Sequence, residues 1–204
     1  YPSVEKMAKG LAGYQIDGLA LAIQANKMGK GFIIGDDTGV GKGRAAAAMI
    51  VWAKKNGKIP IFVTVNDSMY TSMYEDLINI GHEEFKIGMT NNKAIIQRNM
   101  GGGKIKTVFE NKGKDGPDLM SYIKKNGELP KGMDVLFTAY SQLNGGAGSP
   151  QRQDAIASLV AQGKAVLIMD EAHNAAGIPS DSDSRGQNAF FMSLLTGIDL
   201  LGKD

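Results

Sequence analysis

The glycine-rich segment at residues 35–44 constrains the fold of this chain more than any other feature. It reads Gly-Asp-Asp-Thr-Gly-Val-Gly-Lys-Gly-Arg, follows the short apolar run at residues 31–34 and precedes an Ala-rich run at residues 43–54. This order predicts a buried strand, a tight turn and a helix. Glycines let the backbone curl until several N–H groups face one anion, and the N-terminus of the following helix adds positive partial charge. The segment therefore predicts a phosphate-binding loop.

The loop combines backbone contacts with one charged side chain. We expect the phosphates to be bound by Thr38, Gly39, Val40, Gly41, Lys42, Gly43 and Arg44. Lys42 is the catalytic residue among them, because its ammonium group can reach the β- and γ-phosphates. The next position usually carries a Ser or Thr hydroxyl that binds Mg²⁺, whereas Gly43 offers no ligand. A glycine-rich turn with a surface lysine is the alternative interpretation.

An apolar run that ends in two carboxylates supplies the second half of the predicted site. Residues 165–169 predict a buried strand, and Asp170, Glu171 and His173 follow it. Ligands of open parallel sheets bind at the carboxyl ends of the strands. We expect Asp170 to hold Mg²⁺, Glu171 to polarise the attacking water as general base, and His173 to sense the γ-phosphate or contact a moving partner domain. The alternatives are a helix cap or surface turn for the acidic pair and a structural role for His173.

Apolar periodicity predicts alternating helices and strands along the rest of the chain. Helices are predicted at residues 11–28, 43–54, 151–161 and 188–195, and a further helix runs to Ile80 after the capping residues Asn66, Asp67 and Ser68. Strands are predicted at residues 59–65, 134–138 and 165–169. The alternation predicts an α/β fold, a doubly wound parallel sheet with helices on both faces, as one domain across residues 1–204.

Two segments interrupt this alternation. Residues 91–131 contain two stretches rich in glycine and lysine and have weak periodicity, so we interpret them as an insertion on the α/β core. A solvated, mobile loop region is the favoured interpretation of the insertion, and a segment that contacts nucleic acid is the alternative. Residues 178–187 predict a flexible polar loop.

Composition excludes several other classes of protein. The formal net charge is only +2, so a local surface would have to bind any nucleic acid. The chain has no cysteine, which excludes disulfides and thiolate metal sites and is compatible with a reducing compartment. No apolar run approaches the roughly 20 residues of a membrane span, so we expect no membrane partner.

Together these motifs resemble those of superfamily 2 helicases and translocases. The residues from Asp170 to His173 read Asp-Glu-Ala-His, as in many members, and residues 37–42 are similar to the first motif of that superfamily. Residues 11–18 look like the segment upstream of that motif. Residues 39–44, Gly-Val-Gly-Lys-Gly-Arg, are most similar to the strawberry notch helicase-like family and its bacterial and phage relatives. In that family a glycine follows the lysine, so Gly43 is compatible with function there.

The resemblance implies further site residues. Tyr14 and Gln15 would bind the nucleotide, with Gln15 reading adenine, although Tyr14 could instead serve only for packing. Thr64, Asn66 and Thr138 would contact nucleic acid, whereas β-propensity alone is the alternative explanation for the two threonines. A RecA-like fold, ATP and Mg²⁺ as cofactors, and a second RecA-like domain that carries an arginine finger are also implied.

These observations predict the ATP-binding motor domain of a nucleic-acid-dependent ATPase, a helicase or translocase that acts on DNA rather than RNA. The sequence runs from Tyr1 to Asp204, and we expect it to be part of a longer protein. The expected location is the cytoplasm of a bacterial or phage-infected cell, or the nucleus of a eukaryote. The alternatives are a scaffold module that binds nucleotide or nucleic acid without hydrolysis, which Gly43 favours, and an unrelated P-loop kinase or GTPase.

Overall fold

The computed structural model of the chain describes residues 10–35, 41–144 and 148–175. Its helices are α1 (Gly13–Lys27), α2 (Lys42–Lys55), α3 (Met69–Asn79), α4 (Asp115–Asn126) and α5 (Ser149–Ala161). Its strands are β1 (Ile59–Thr64), β2 (Ile87–Met89), β3 (Ile95–Asn99), β4 (Ile105–Glu110), β5 (Val135–Ala139) and β6 (Ala165–Met169). A short 3₁₀ turn, Tyr140–Leu143, directly follows β5, and a second, Ala172–Asn174, is separated from the end of β6 by two residues.

The central sheet has the strand order β2-β5-β1-β6, and every pair in it is parallel. Its register aligns Val63 of β1 with Thr138 of β5 on one side and with Met169 of β6 on the other. The carboxyl ends of these three strands therefore lie side by side at one edge of the sheet. Strands β3 and β4 form a separate antiparallel hairpin.

Helices cover both faces of the sheet because side chains alternate along each strand. Phe62 of β1 lies in the core that α1, α2 and α3 contribute to, where its ring contacts Phe137 at 5.1 Å between centroids. Ile61 and Val63 lie on the opposite face and pack with buried residues of α4 and α5. This two-sided core makes the domain a doubly wound, RecA-like α/β fold, as predicted.

Helix α2 runs antiparallel to the strands, which fixes where its first residue lies. Only residues 56–58 separate α2 from the start of β1. At the same end, Lys54 Nζ pairs with Asp134 Oδ1 at 3.1 Å, immediately before β5 begins. Because this end of α2 lies at the amino ends of the strands, Lys42 at its other end lies toward their carboxyl ends.

Most elements lie where periodicity predicts them. The helices predicted at residues 11–28, 43–54 and 151–161 correspond to α1, α2 and α5, and the predicted strands correspond to β1, β5 and β6. The helix predicted to end at Ile80 is α3, although Ser68 at its N-cap makes no capping bond with its side chain. The helix predicted at 188–195 and the polar loop at 178–187 lie outside the described residues.

The prediction of a strand at residues 31–34 is wrong, because the structure has no strand there. The segment forms no ladder with any strand in the described ranges, and Phe32 and Ile33 are 42% and 89% exposed. An apolar run becomes a strand only when a neighbour accepts its backbone hydrogen bonds and covers its side chains. The edge strand β6 pairs with β1 on one side, and no described strand pairs with it on the other.

The prediction of a loop region at residues 91–131 is also wrong, because most of these residues form regular structure. They contain the β3–β4 hairpin and α4, and Met120 and Ile123 of α4 are buried in the second core. The glycines that suggest a loop form the hairpin tip, where Gly101, Gly102 and Gly103 all have positive φ. Tertiary packing and hairpin pairing therefore give order to a stretch with weak periodicity.

Candidate nucleotide-binding site

The end of the predicted phosphate loop is described from Gly41 onward, whereas Thr38, Gly39 and Val40 lie outside the described residues. Gly41 is the N-cap of α2 and has a left-handed backbone with φ of +77°. A Cβ there would also lie 2.5 Å from Gln15 Nε2. Both the backbone conformation and the close approach of Gln15 therefore require glycine at this position.

Gln15 connects α1 to the phosphate loop. Its Nε2 donates a hydrogen bond to the Gly41 carbonyl at 2.9 Å, and its Oε1 accepts one from the Ala12 N–H at 2.8 Å. The side chain is buried, whereas the ring of Tyr14 is 53% exposed. The Gln15 amide thus holds Gly41, the N-cap of α2, in this structure, and the reading of adenine by Tyr14 and Gln15 stays a prediction.

The first turn of α2 carries the two basic residues of the loop. Lys42 is the first residue of the helix and is partly buried, and Arg44 follows two positions later and is exposed. No acidic residue lies within this first turn, so no carboxylate of the turn itself neutralises the positive end of the helix dipole. The arrangement of helix end and ammonium group suits a polyphosphate.

Gly43 is packed against a carboxylate from the neighbouring helix. A Cβ built on Gly43 would overlap Oδ2 of Asp76, and it would lie 3.1 Å from the Asp76 Cγ. Asp76 belongs to α3 and is partly buried. Burial raises the pKa of its carboxyl, while the nearby charge of Arg44 acts in the opposite direction. The missing side chain at position 43 therefore has a structural cause, since Asp76 occupies its space.

Asp170 is held by three hydrogen bonds at the carboxyl end of β6. Its Oδ2 accepts a bond from the Thr64 hydroxyl at 3.0 Å, and its N–H donates to the Val63 carbonyl at 2.8 Å. The Tyr140 hydroxyl donates to the Asp170 carbonyl at 3.0 Å. Groups from β1 and from the turn after β5 thus fix the main chain and the carboxylate of Asp170.

Glu171 and His173 lie on the exposed turn after β6. Glu171 has φ of +50°, which is uncommon for a residue with a side chain and costs about 1 kcal/mol or more. Its carboxylate Oε2 lies 3.4 Å from His173 Nδ1, and His173 Nε2 lies 3.3 Å from Asn174 Nδ2. The Glu171 carboxylate is exposed in this turn, and the role of Glu171 as general base stays a prediction.

Thr64 and Thr138, which are predicted to contact nucleic acid, lie inside the domain. Both side chains are fully buried. The Thr64 hydroxyl donates to Asp170, and the Thr138 hydroxyl is bonded to that of Thr90 at 2.8 Å. Both hydroxyls are therefore engaged within the domain in this structure, and the contact of either residue with nucleic acid stays a prediction. Asn66 is exposed, and its Oδ1 accepts a bond from the Ser68 N–H at 3.1 Å, so its contact with nucleic acid stays a prediction.

Comparison with known protein families decides the class of this site. The family described as P-loop containing NTP hydrolase pore-1 matches residues 5–197. The chain belongs to this family. Among curated proteins, no relative matches it. A P-loop NTP hydrolase binds and hydrolyses a nucleoside triphosphate. The roles of Lys42 and Asp170 in this chemistry stay predictions.

The residues of this P-loop NTP hydrolase also fit Mg²⁺. Mg²⁺ is usually bound by one or two carboxylates together with phosphate oxygens and waters, rather than by a cage of protein ligands. In keeping with this, no group of three or more His, Cys, Asp or Glu side chains that could hold a metal occurs in the described ranges. Asp170 would supply one carboxylate, which the Thr64 hydroxyl orients. When bound, Mg²⁺ neutralises charge on the β- and γ-phosphates.

Two residues of the site are not evident from the sequence motifs. Tyr140 is the first residue after β5, and burial, together with the carboxylates of Asp170 and Glu171, raises the pKa of its hydroxyl far above the usual range. It therefore stays protonated and donates to the Asp170 carbonyl. The other is Asp76, which no motif marks.

In the described ranges, no helix is long and apolar enough to cross a membrane.

Proposed function

We propose that this P-loop NTP hydrolase is the ATP-binding motor domain of a nucleic-acid-dependent ATPase, a superfamily 2 DNA helicase or translocase related to the strawberry notch helicase-like group. The observation that carries the proposal is the position of Lys42 and of the Asp170–Glu171 pair toward the same, carboxyl edge of one parallel sheet. The order of these motifs and the sequence Asp-Glu-Ala-His at residues 170–173 favour superfamily 2 over other P-loop enzymes.

Each residue has a separate task in this proposal. Lys42 binds the β- and γ-phosphates, and Asp170 holds Mg²⁺. Glu171 accepts a proton from the attacking water. A second RecA-like domain of the same longer protein supplies an arginine finger, because Arg44 lies on α2 just behind Lys42 and is poorly directed toward the γ-phosphate.

The β3–β4 hairpin supports the proposed partner, nucleic acid. Residues 91–114, which comprise the hairpin and its flanking residues, contain six Lys and Arg side chains and one Glu, a formal charge of +5 in a chain whose net charge is +2. Lys104 and Lys106 lie exposed beside the hairpin tip, next to the exposed apolar residues Met100 and Ile105. Such a local basic surface attracts phosphate backbones even when the whole chain is near neutral.

Oligonucleotide binding tests the nucleic-acid part of the proposal. We expect the chain to bind single- and double-stranded DNA weakly in filter binding at low salt, with an affinity that falls steeply as salt is added. The variant K104A/K106A should bind more weakly and depend less on salt, because two phosphate contacts are lost.

A matched control removes two lysines from the other end of the sheet. Lys131 and Lys164 are exposed and lie beside the amino ends of the strands, where they line a cavity of about 410 Å³. The variant K131A/K164A changes the net charge by the same amount and should bind DNA like the unmodified chain. Equal losses in the two double variants, or tight binding that salt does not weaken, would contradict the proposed surface.

A scaffold that binds nucleotide without hydrolysis is the second candidate, and Gly43 is the observation that favours it. The hydroxyl that usually binds Mg²⁺ is missing at this position. Retention of Lys42, Asp170 and Glu171 favours the enzyme instead. The two candidates differ in one measurable property, which is hydrolysis of ATP by the longer protein in the presence of nucleic acid. We place that activity in the cytoplasm of a bacterial or phage-infected cell, or in a eukaryotic nucleus.

A further inference from the structure

Gly43 and Asp76 form a complementary pair across two helices. Position 43 directly follows the phosphate-loop lysine, where most P-loop enzymes carry the hydroxyl that binds Mg²⁺. A hydroxyl oxygen would lie one covalent bond beyond the Cβ at this position. In this chain Oδ2 of Asp76 lies so close to the position of a Cβ on residue 43 that the two atoms would overlap. An oxygen from α3 therefore lies beside the place where a serine or threonine oxygen would otherwise be.

The surroundings of Asp76 leave its carboxylate able to accept a cation. The side chain is partly buried, and within the described ranges no hydrogen bond or ion pair reaches its oxygens. Arg44 is the basic residue whose charge acts on it. A half-buried carboxylate without hydrogen bonds is costly, and a bound cation offsets this cost.

We propose that the Asp76 carboxylate replaces the missing hydroxyl as a ligand of the nucleotide-bound Mg²⁺, directly or through one water. This inference rests on the proposed function, because it requires a nucleoside triphosphate on the loop at Lys42. Asp76 and Asp170 then supply two carboxylates from different elements, which is a common number for Mg²⁺ bound to phosphates. Gly43 is required in this arrangement, because any side chain there would displace the Asp76 oxygen.

The Asp76→Asn variant tests the proposed ligand with little change in shape. Mn²⁺ serves as the probe, and its binding in the presence of a non-hydrolysable ATP analogue is followed by electron paramagnetic resonance. We expect Asp76→Asn to weaken Mn²⁺ binding at least about tenfold, by analogy with the losses seen when groups around metal ligands are removed. Affinity for the analogue in EDTA should stay within about twofold of the unmodified chain, because Lys42 and the loop are intact.

Glu75→Gln is the matched control, since Glu75 precedes Asp76 on α3 and is exposed. It removes the same charge and should leave Mn²⁺ binding unchanged. A second set of variants exchanges the two positions. Gly43→Ser alone should weaken Mn²⁺ binding by steric conflict with Asp76, and Asp76→Ala alone should weaken it by loss of the ligand. The double variant G43S/D76A should recover binding relative to both single variants, because the serine hydroxyl then occupies the vacated space.

The outcomes separate this inference from the proposed function. If the unmodified chain bound no ATP analogue even in EDTA, the proposed function would be refuted, and the inference with it. If the analogue bound normally while Asp76→Asn and Glu75→Gln had equal Mn²⁺ affinity, only the role of Asp76 would be wrong. A double variant no better than Asp76→Ala would likewise show that Asp76 merely packs against α2.

Discussion

The hydrogen bond from Thr64 to Asp170 links the end of β1 to the proposed Mg²⁺ site. The Thr64 hydroxyl is fully buried and donates to Asp170 Oδ2 at 3.0 Å. Thr64→Val keeps the shape of the side chain and removes only this donor. Thr138→Val is a matched control on the adjacent strand, because its fully buried hydroxyl bonds to another hydroxyl, that of Thr90, at 2.8 Å.

The two variants should differ in their cost to stability. A hydrogen bond to a charged group contributes about 1.5–3 kcal/mol, whereas one between neutral groups contributes about 0.5–1.5 kcal/mol. The gain from burying an additional methyl group, about 0.8 kcal/mol, is common to both variants and cancels in the comparison. We therefore expect Thr64→Val to lower the free energy of unfolding by about 1 kcal/mol more than Thr138→Val does.

Urea unfolding at neutral pH, followed by circular dichroism, measures this difference. Equal slopes against urea in the three proteins would show that the variants unfold to the same extent, so that midpoints report stability. If Thr64→Val were as stable as Thr138→Val or more so, the bond to Asp170 would contribute no more to stability than the bond between the two neutral hydroxyls. Asp170 would then not be a carboxylate that β1 orients.

Two further predictions concern the loop and the chemistry. Gln15→Ala removes the hydrogen bond to the Gly41 carbonyl, worth about 1 kcal/mol, and should weaken binding of a fluorescent ATP analogue about fivefold. Gln24→Ala, on the exposed side of α1, should leave the affinity unchanged. Equal affinities of the two variants would contradict the positioning role of Gln15. Glu171→Gln should barely change phosphate release by residues 1–204, which we expect to be slow, but should abolish nucleic-acid-stimulated release by a protein that includes the proposed second RecA-like domain. The reason is that an arginine finger contributes about 10³–10⁵ in rate. Turnover of several per second by residues 1–204 alone would contradict the split site.

The elements that could be predicted from the sequence are those whose own side chains determine them. The Ala-rich composition of α2 and the β-branched run of β1 each define an element without reference to distant residues. Residues 31–34 have the same apolar character, yet they are not a strand here, because a strand also needs a paired neighbour. The three residues of β2 are too few to show any period.

The parts of the site that were not predicted depend on contacts between distant residues. Thr64 and Asp170 are 106 positions apart, so only the β1–β6 register reveals that the threonine orients the carboxylate. Gly43 in isolation looks like a lost ligand, and only the packing of α3 on α2 shows that Asp76 fills its space. Motifs thus point to Lys42 and Asp170, whereas the contacts that Thr64 and Asp76 make emerge only from the fold.

Binding of a fluorescent ATP analogue to the unmodified chain and to Lys42→Ala tests the central claim most directly. The ammonium group makes charge-assisted contacts with the phosphates that are worth about 1.5–3 kcal/mol, so Lys42→Ala should weaken binding roughly 10- to 150-fold. Lys55→Ala, at the opposite end of the same helix, should bind like the unmodified chain. Equal affinity in the unmodified chain and Lys42→Ala would contradict the assignment of the nucleotide site to this loop.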